Sequence, residues 1–254
     1  MGYNSSMELH KYLTDFSEYN TVPPLYIKNP LSEKHVAMVR DILDDLEYKY
    51  GIVDASEQSH HHQPRIMRDL SRVVTEFEMP QEIEKIIDGY ILPMYKHPIK
   101  LSHFSYLGYD GKYSDYEITP SLPPHIDAAH TLLTFNYQLG GNFDWDLYVD
   151  GEKYELRNND AVIFSSVNQV HWRPKRKWQK GDFCEILTVN YSPLDDWRFD
   201  PHGIDPLQAD PELLSRYQED LDNHPRMQKS WQIYNDMGLE LGIPAELHGV
   251  FDGL

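Results

Sequence analysis

The sequence predicts a mainly β chain with flanking helices, its core an antiparallel sandwich or barrel. Three observations lead there. From about Leu101 to Pro193, short runs of β-branched and aromatic residues are separated by turn residues. Helical spacing of apolar residues is confined to the segments on either side. Two polar pieces, His125-Ile126-Asp127 and His171-Trp172-Arg173, fall inside the central run next to its strands.

The first 24 residues are polar and end in Val22-Pro23-Pro24, a tail or docking arm. Leu25 to Ile27 reads as a strand. Ser32 then caps a helix carrying Val36, Val39, Ile42, Leu43 and Leu46. Residues 51–65 form a loop with His60-His61-His62, whose adjacent side chains converge poorly on one ion. Helices are expected over about Arg68 to Glu78 and Pro80 to Tyr95, both outside the barrel. Ile99 to Tyr109 is the strand that enters the core. Asp110 to Leu122 is a loop over its mouth, with Tyr113, Tyr116 and Glu117 on the substrate side.

The core strands follow: Thr131 to Leu139, Trp145 to Val149, Lys153 to Leu156, Ala161 to Ser165, Gln169 to His171 and Phe183 to Tyr191. Gly140-Gly141, Asp150-Gly151 and Asn158-Asn159-Asp160 mark turns among them. Thr134, Asn136 and Gln138 share one strand face. If it points inward they line a pocket; if outward, Phe135 and Tyr137 are inside instead. A composition change at residue 194 opens a segment with helices from about Asp210 and from Pro225 to Leu241. That segment is a lid or a contact surface for a second copy. The chain thus divides into 1–98, a strand and buttressing helices; 99–193, the core; and 194–254, the helical segment, all in one integrated domain.

The chemistry sits in the two polar pieces. Residues two apart on a strand point the same way, so His125 and Asp127 stand side by side. His171 ends a later apolar run. Two imidazoles and one carboxylate suit an iron(II) centre that keeps coordination positions open. The spacing alone also occurs by chance in a chain with 13 histidines, and the bland alternative is a surface turn after Pro123-Pro124.

With those residues in place, the segment from Leu101 to Pro193 resembles the double-stranded β-helix (jelly-roll, cupin-like) of the Fe(II)/2-oxoglutarate-dependent oxygenases, in the branch similar to prolyl hydroxylases and phage-type hydroxylases. The resemblance is carried by Tyr106, His125-Ile126-Asp127, Leu132 to Tyr137, Asn159 to Phe164 and His171 to Pro174. It implies Fe(II) on His125, Asp127 and His171, with 2-oxoglutarate and O2 as co-substrates and no catalytic residue beyond the ligands. It also implies a Tyr106 hydrogen bond to 2-oxoglutarate, for which the alternative is a core tyrosine. Many relatives carry a basic anchor about ten residues past the distal histidine; here that strand has no arginine. Arg173, two past His171, is therefore the preferred anchor, with Lys180 and Arg176 behind it; the alternative is a solvated basic loop. Thr188 completes the co-substrate side. His130, Asn136, Tyr116 and Asn190 are the substrate-side candidates.

The expected activity is hydroxylation of an unactivated C–H bond in a small molecule, such as an amino acid or natural-product intermediate. A prolyl hydroxylase acting on a peptide is the alternative within the class. Outside it stand a cupin-like metalloenzyme without 2-oxoglutarate and a non-catalytic binding module. The net charge of −18, from 23 basic and 41 acidic residues, argues against nucleic acid and anionic membranes as partners. One cysteine, Cys184, fits a reducing compartment. With no apolar run at the start and no membrane-length apolar stretch, the chain reads as soluble and cytoplasmic.

Overall fold

In the computed structural model, which describes residues 21–57, 60, 62–67, 71–96, 98–111, 121–127, 131–194, 215, 219 and 222–242, the two longest strands set the frame. These are β5 (Ile99–Asp110) and β12 (Phe183–Pro193), paired antiparallel along their whole length. On the other side of β12 runs β7 (Leu133–Gly141), followed by β10 (Asp160–Phe164) and, at the edge, β1 (Leu25–Lys28). Beyond β5 lie β4 (Arg72–Thr75), β3 (Arg65–Ile66) and β2 (Val53–Asp54), completing an eight-stranded sheet. A smaller four-stranded sheet has the order β6 (Leu122–His125), β11 (His171–Arg173), β8 (Leu147–Val149), β9 (Glu152–Tyr154). The result is a mainly β jelly-roll flanked by helices.

Alternation along the strands sorts residues between two layers. One face of the large sheet carries Phe104, Tyr106, Phe135, Tyr137, Leu187 and Val189. They pack on Val39 and Leu43 of α1 (Glu33–Tyr50) and on Ile83, Ile87 and Ile91 of α2 (Gln81–Ile91). The other face meets the small sheet, where Leu147 and Val149 pack on Val162 and Phe164. Thr134 and Asn136 belong to this inner face; Phe135 and Tyr137 look toward the helices.

Helix α1 starts where expected. Ser32 Oγ accepts from the His35 backbone N–H at 3.3 Å, Glu33 lies in the first turn, and Gly51 ends the helix at φ 68°. The expected helix over Arg68 to Glu78 is corrected: Arg72–Thr75 is a strand, with Val73 opposite Leu107 and Val74 opposite Tyr106. The adjacent β-branched valines suit a strand, and pairing covers an edge of β5 that would otherwise be open. Residues 112–120 of the loop expected over the mouth, and most of the helix expected from Asp210, lie outside the described residues. The last helix among the described residues, α3 (Pro225–Glu240), begins on Pro225 behind an N-cap at His224. No described helix is long and apolar enough to cross a membrane.

Candidate metal centre

β6 ends on His125 and β11 begins on His171. The two are directly opposite in the antiparallel ladder, so their imidazoles stand together, ring centroids 4.2 Å apart. Asp127 follows β6 by two residues and is fixed by its backbone N–H, which donates to Ser166 O at 2.9 Å. Its Oδ1 lies 3.5 Å from His171 Nε2 and 3.7 Å from His125 Nε2. One donor atom from each of the three residues lies within 4.8 Å of the other two.

The donors are oriented from behind. His125 Nδ1 lies 2.8 Å from Pro123 O, and His171 Nδ1 lies 3.1 Å from Gln169 O. A carbonyl only accepts, so each Nδ1 carries the proton and each Nε2 presents a lone pair. Burial and the neighbouring His171 push the His125 imidazole down to about 4, leaving it neutral at pH 7. Burial alone would raise the Asp127 carboxyl. The neighbouring imidazoles, His171 foremost and then His125, and a Ser166 hydrogen bond outweigh it and hold Asp127 well below the usual carboxylate range. Thr134 Oγ1 lies 3.3 Å from Asp127 Oδ2, 2.7 Å from Ser166 Oγ and 2.8 Å from Asn190 Oδ1. Asp127 therefore turns one oxygen to the histidines and has the other tied to the large sheet.

One strand step from His171 is Arg173, fully buried. Its Nη1 donates to Trp145 O, and its Nη2 to Asn136 Oδ1 at 3.2 Å. Its Nε has no hydrogen-bond partner among the described residues. The guanidinium lies over the Trp145 ring, 5.4 Å from the centroid. No carboxylate among the described residues forms an ion pair with it; Asp146, which it senses, pairs with Lys153 at 3.6 Å. Burial lowers the guanidinium pKa, as it must for a cation deprived of water.

Of the other expected site residues, Asn136, Thr188 and Asn190 share the inner face with the triad. Thr188 is opposite Asn136, and Asn190 opposite Thr134. Tyr106 is on the helix side of the sheet. Its hydroxyl accepts from Arg72 Nη2 at 2.6 Å and donates to Glu185 Oε1 at 3.0 Å, so it is not brought to the triad. Lys180 is exposed in the turn before β12. Arg176 pairs with Asp182 at 2.7 Å. His130 and Tyr116 lie outside the described residues. His60 and His62 flank the Tyr50 ring at 5.3 and 5.8 Å. Sequence reasoning missed His103, which is opposite Asn190 and has Nε2 2.9 Å from Asn190 Nδ2; its period-2 relation to Ser105 was the available signal. It also missed Ser166 and the carbonyls of Pro123 and Gln169, for which no pattern exists.

No protein-family model matches the chain, and no curated protein matches it. Among solved structures it is similar to the non-haem α-ketoglutarate-dependent carbocyclase SnoK of nogalamycin biosynthesis, with 16% identity over 76% of this chain and 85% of that one, at a TM-score of 0.50. A prolyl hydroxylase from Trichoplax adhaerens, in complex with a hypoxia inducible factor peptide, aligns with 15% identity over 75% of this chain and 94% of that one, at a TM-score of 0.48. HygX from Streptomyces hygroscopicus, with nickel and 2-oxoglutarate bound, aligns with 10% identity over 77% and 88%, at a TM-score of 0.45. The chain shares the jelly-roll fold of the carbocyclase. Within that fold it carries a cluster of two histidines and one aspartate with metal-ligand spacing.

Proposed function

We propose that the chain is an Fe(II)- and 2-oxoglutarate-dependent oxygenase that hydroxylates a small molecule, such as an amino acid or natural-product intermediate. The observation that carries the reading is Arg173: a buried guanidinium on the triad's side of the barrel, with no carboxylate partner among the described residues. A charge so buried is costly unless paired. The distal carboxylate of 2-oxoglutarate supplies the missing partner.

The residues fit the groups. His125, Asp127 and His171 offer the imidazole and carboxylate donors that Fe(II) takes while keeping positions open. His171 and Arg173 are one strand repeat apart, roughly 6.6 Å, which matches a five-carbon dicarboxylate reaching from the metal side to the guanidinium. Bound together, Fe(II), 2-oxoglutarate and O2 supply C–H oxidation coupled to conversion of 2-oxoglutarate to succinate and CO2. Asn136 aims the guanidinium, and Thr188 is opposite Asn136 on β12. Tyr109, Trp145 and Trp178, edge-on or stacked at 4.8 to 6.3 Å, close this end of the barrel to water, which strengthens the ion pair. His103, Ser105 and Asn190 give the opposite wall polar hydrogen-bonding groups, in keeping with a polar small substrate.

The test is anaerobic addition of Fe(II) and then 2-oxoglutarate. A weak visible charge-transfer band is expected. Metal binding without the band would remove 2-oxoglutarate from the reading and leave a cupin-like metalloenzyme. No metal binding would remove the enzyme reading itself.

A further inference from the structure

The two ligand-bearing pieces share a pattern. His125-Ile126-Asp127 and His171-Trp172-Arg173 each hold one apolar residue between two site residues. Alternation turns Ile126 and Trp172 to the outer side of the small sheet. There both join one cluster with Met227, Trp231, Tyr234 and Met237 of α3. Trp172 is fully buried, stacked on Tyr148 at 4.1 Å and edge-on to Tyr234 at 5.7 Å. Ser121, the residue before β6, neighbours the Tyr234 hydroxyl. Lys175 Nζ, two residues past Arg173, lies 5.0 Å from the Tyr234 ring centroid. Tyr234 thus touches the chain before β6, the middle of β11 and the chain after β11.

This matters because the small sheet needs outside support. Among the described residues β6 is an edge strand with β11 as its one strand neighbour, and their register slips between His171 and Arg173. Two ladder positions do not fix a strand firmly. From the helix side, α3 supplies what the ladder lacks. Resting on the metal reading above, we propose that Tyr234 is a positioning residue for the metal centre, holding His125, Asp127, His171 and Arg173 in place through Ile126, Trp172 and Ser121. α3 is then a clamp behind the site.

Coupling of this kind is reciprocal: if docked α3 favours the metal-ready triad, metal must favour docked α3. Hydrogen exchange of the whole wild-type chain with and without Mn(II), an ion with similar ligand preferences to Fe(II), reads this directly. Slower exchange is expected in α3 as well as in β6 and β11. Tyr234→Ala is expected to weaken Mn(II) binding about tenfold and to remove the protection of α3. Tyr234→Phe, which keeps the ring, is expected to recover most of the affinity. Val39→Ala, a core truncation under α1, is expected to lower stability while leaving Mn(II) affinity unchanged, which separates positioning from folding. Protection confined to β6, β7 and β11, with α3 unaffected, overturns the clamp and leaves the metal reading standing. Failure of the wild-type chain to bind Mn(II) overturns both.

Discussion

Arg173 Nη2 donates to Asn136 Oδ1 at 3.2 Å across the interior of the jelly-roll, and among the described residues that neutral amide is the side-chain acceptor the buried guanidinium has. An amide orients an arginine without neutralising it. The arrangement holds a positive charge ready for an anion, at some expense in stability.

Arg173→Met follows from this. The variant removes the charge but keeps much of the volume. 2-Oxoglutarate affinity is expected to fall by more than about 30-fold, since truncating one partner of a buried ion pair costs about 2–5 kcal/mol. Fe(II) or Mn(II) affinity stays near wild type, because the triad is untouched. Thermal stability without ligand is expected to hold or rise, as replacing a buried charge by an apolar group often does. Titration calorimetry and thermal unfolding on the same samples check both halves; unchanged 2-oxoglutarate binding removes Arg173 as the anchor.

Asp127→Ala is expected to abolish tight Mn(II) binding while the chain remains folded, since its backbone bond to Ser166 does not need the carboxylate. Thr134→Val keeps the shape and removes the hydroxyl beside Asp127 Oδ2. Loss of such an orienting partner typically costs 10–100-fold in metal affinity, and about tenfold is expected here. Wild-type Mn(II) affinity in Asp127→Ala would exclude Asp127 as a ligand.

Tyr106→Phe separates the two faces of the large sheet. Its hydroxyl lies between Arg72 and Glu185, and Glu185 also pairs with Arg40 at 2.7 Å. Removing it is expected to cost about 1–3 kcal/mol in unfolding free energy and to leave 2-oxoglutarate affinity unchanged. A large loss of 2-oxoglutarate affinity with little loss of stability would place Tyr106 in the site after all.

That tyrosine shows where sequence reading stops. The central strands were legible from their composition and turns, and the triad from residue type, spacing and the alternation rule. Facing was not legible. β5 is covered on both sides, by helices on one and by the barrel interior on the other, so Phe104 and Tyr106 look as apolar as Leu107 and Tyr109. On β7 polar Thr134 and Asn136 alternate with Phe135 and Tyr137, but both faces are buried, so polarity alone left open which set faces the barrel interior. Arg72–Thr75 misled for a related reason. Leu70, Val73, Val74 and Phe77 have helical spacing, yet pairing with β5 decides the conformation. The carbonyls behind His125 and His171 left no trace in the sequence, because any residue supplies a carbonyl.

The His125 imidazole gives the metal-free chain a pH dependence whose sign can be worked out. Its pKa is about 4 in the fold, against an ordinary imidazole value of 6.5. Between those values the unfolded chain holds a proton that the folded chain lacks. Stability therefore rises with pH across that window and is lost as pH falls from 6.5 toward 4. Asp127, whose pKa is depressed by its histidine neighbours, acts in the same direction below the usual carboxylate pKa. An isolated group would contribute at most about 1.4 kcal/mol per pH unit; interaction with His171 and Asp127 spreads the effect. Urea midpoints of the metal-free chain are expected to decline from about pH 6.5 to about pH 4.5. In His125→Gln, which removes the titrating ring, the decline is expected to be shallower. Parallel declines in the two proteins would mean that His125 is not held neutral in the fold, and that its lone pair is not ready for a metal at mildly acidic pH.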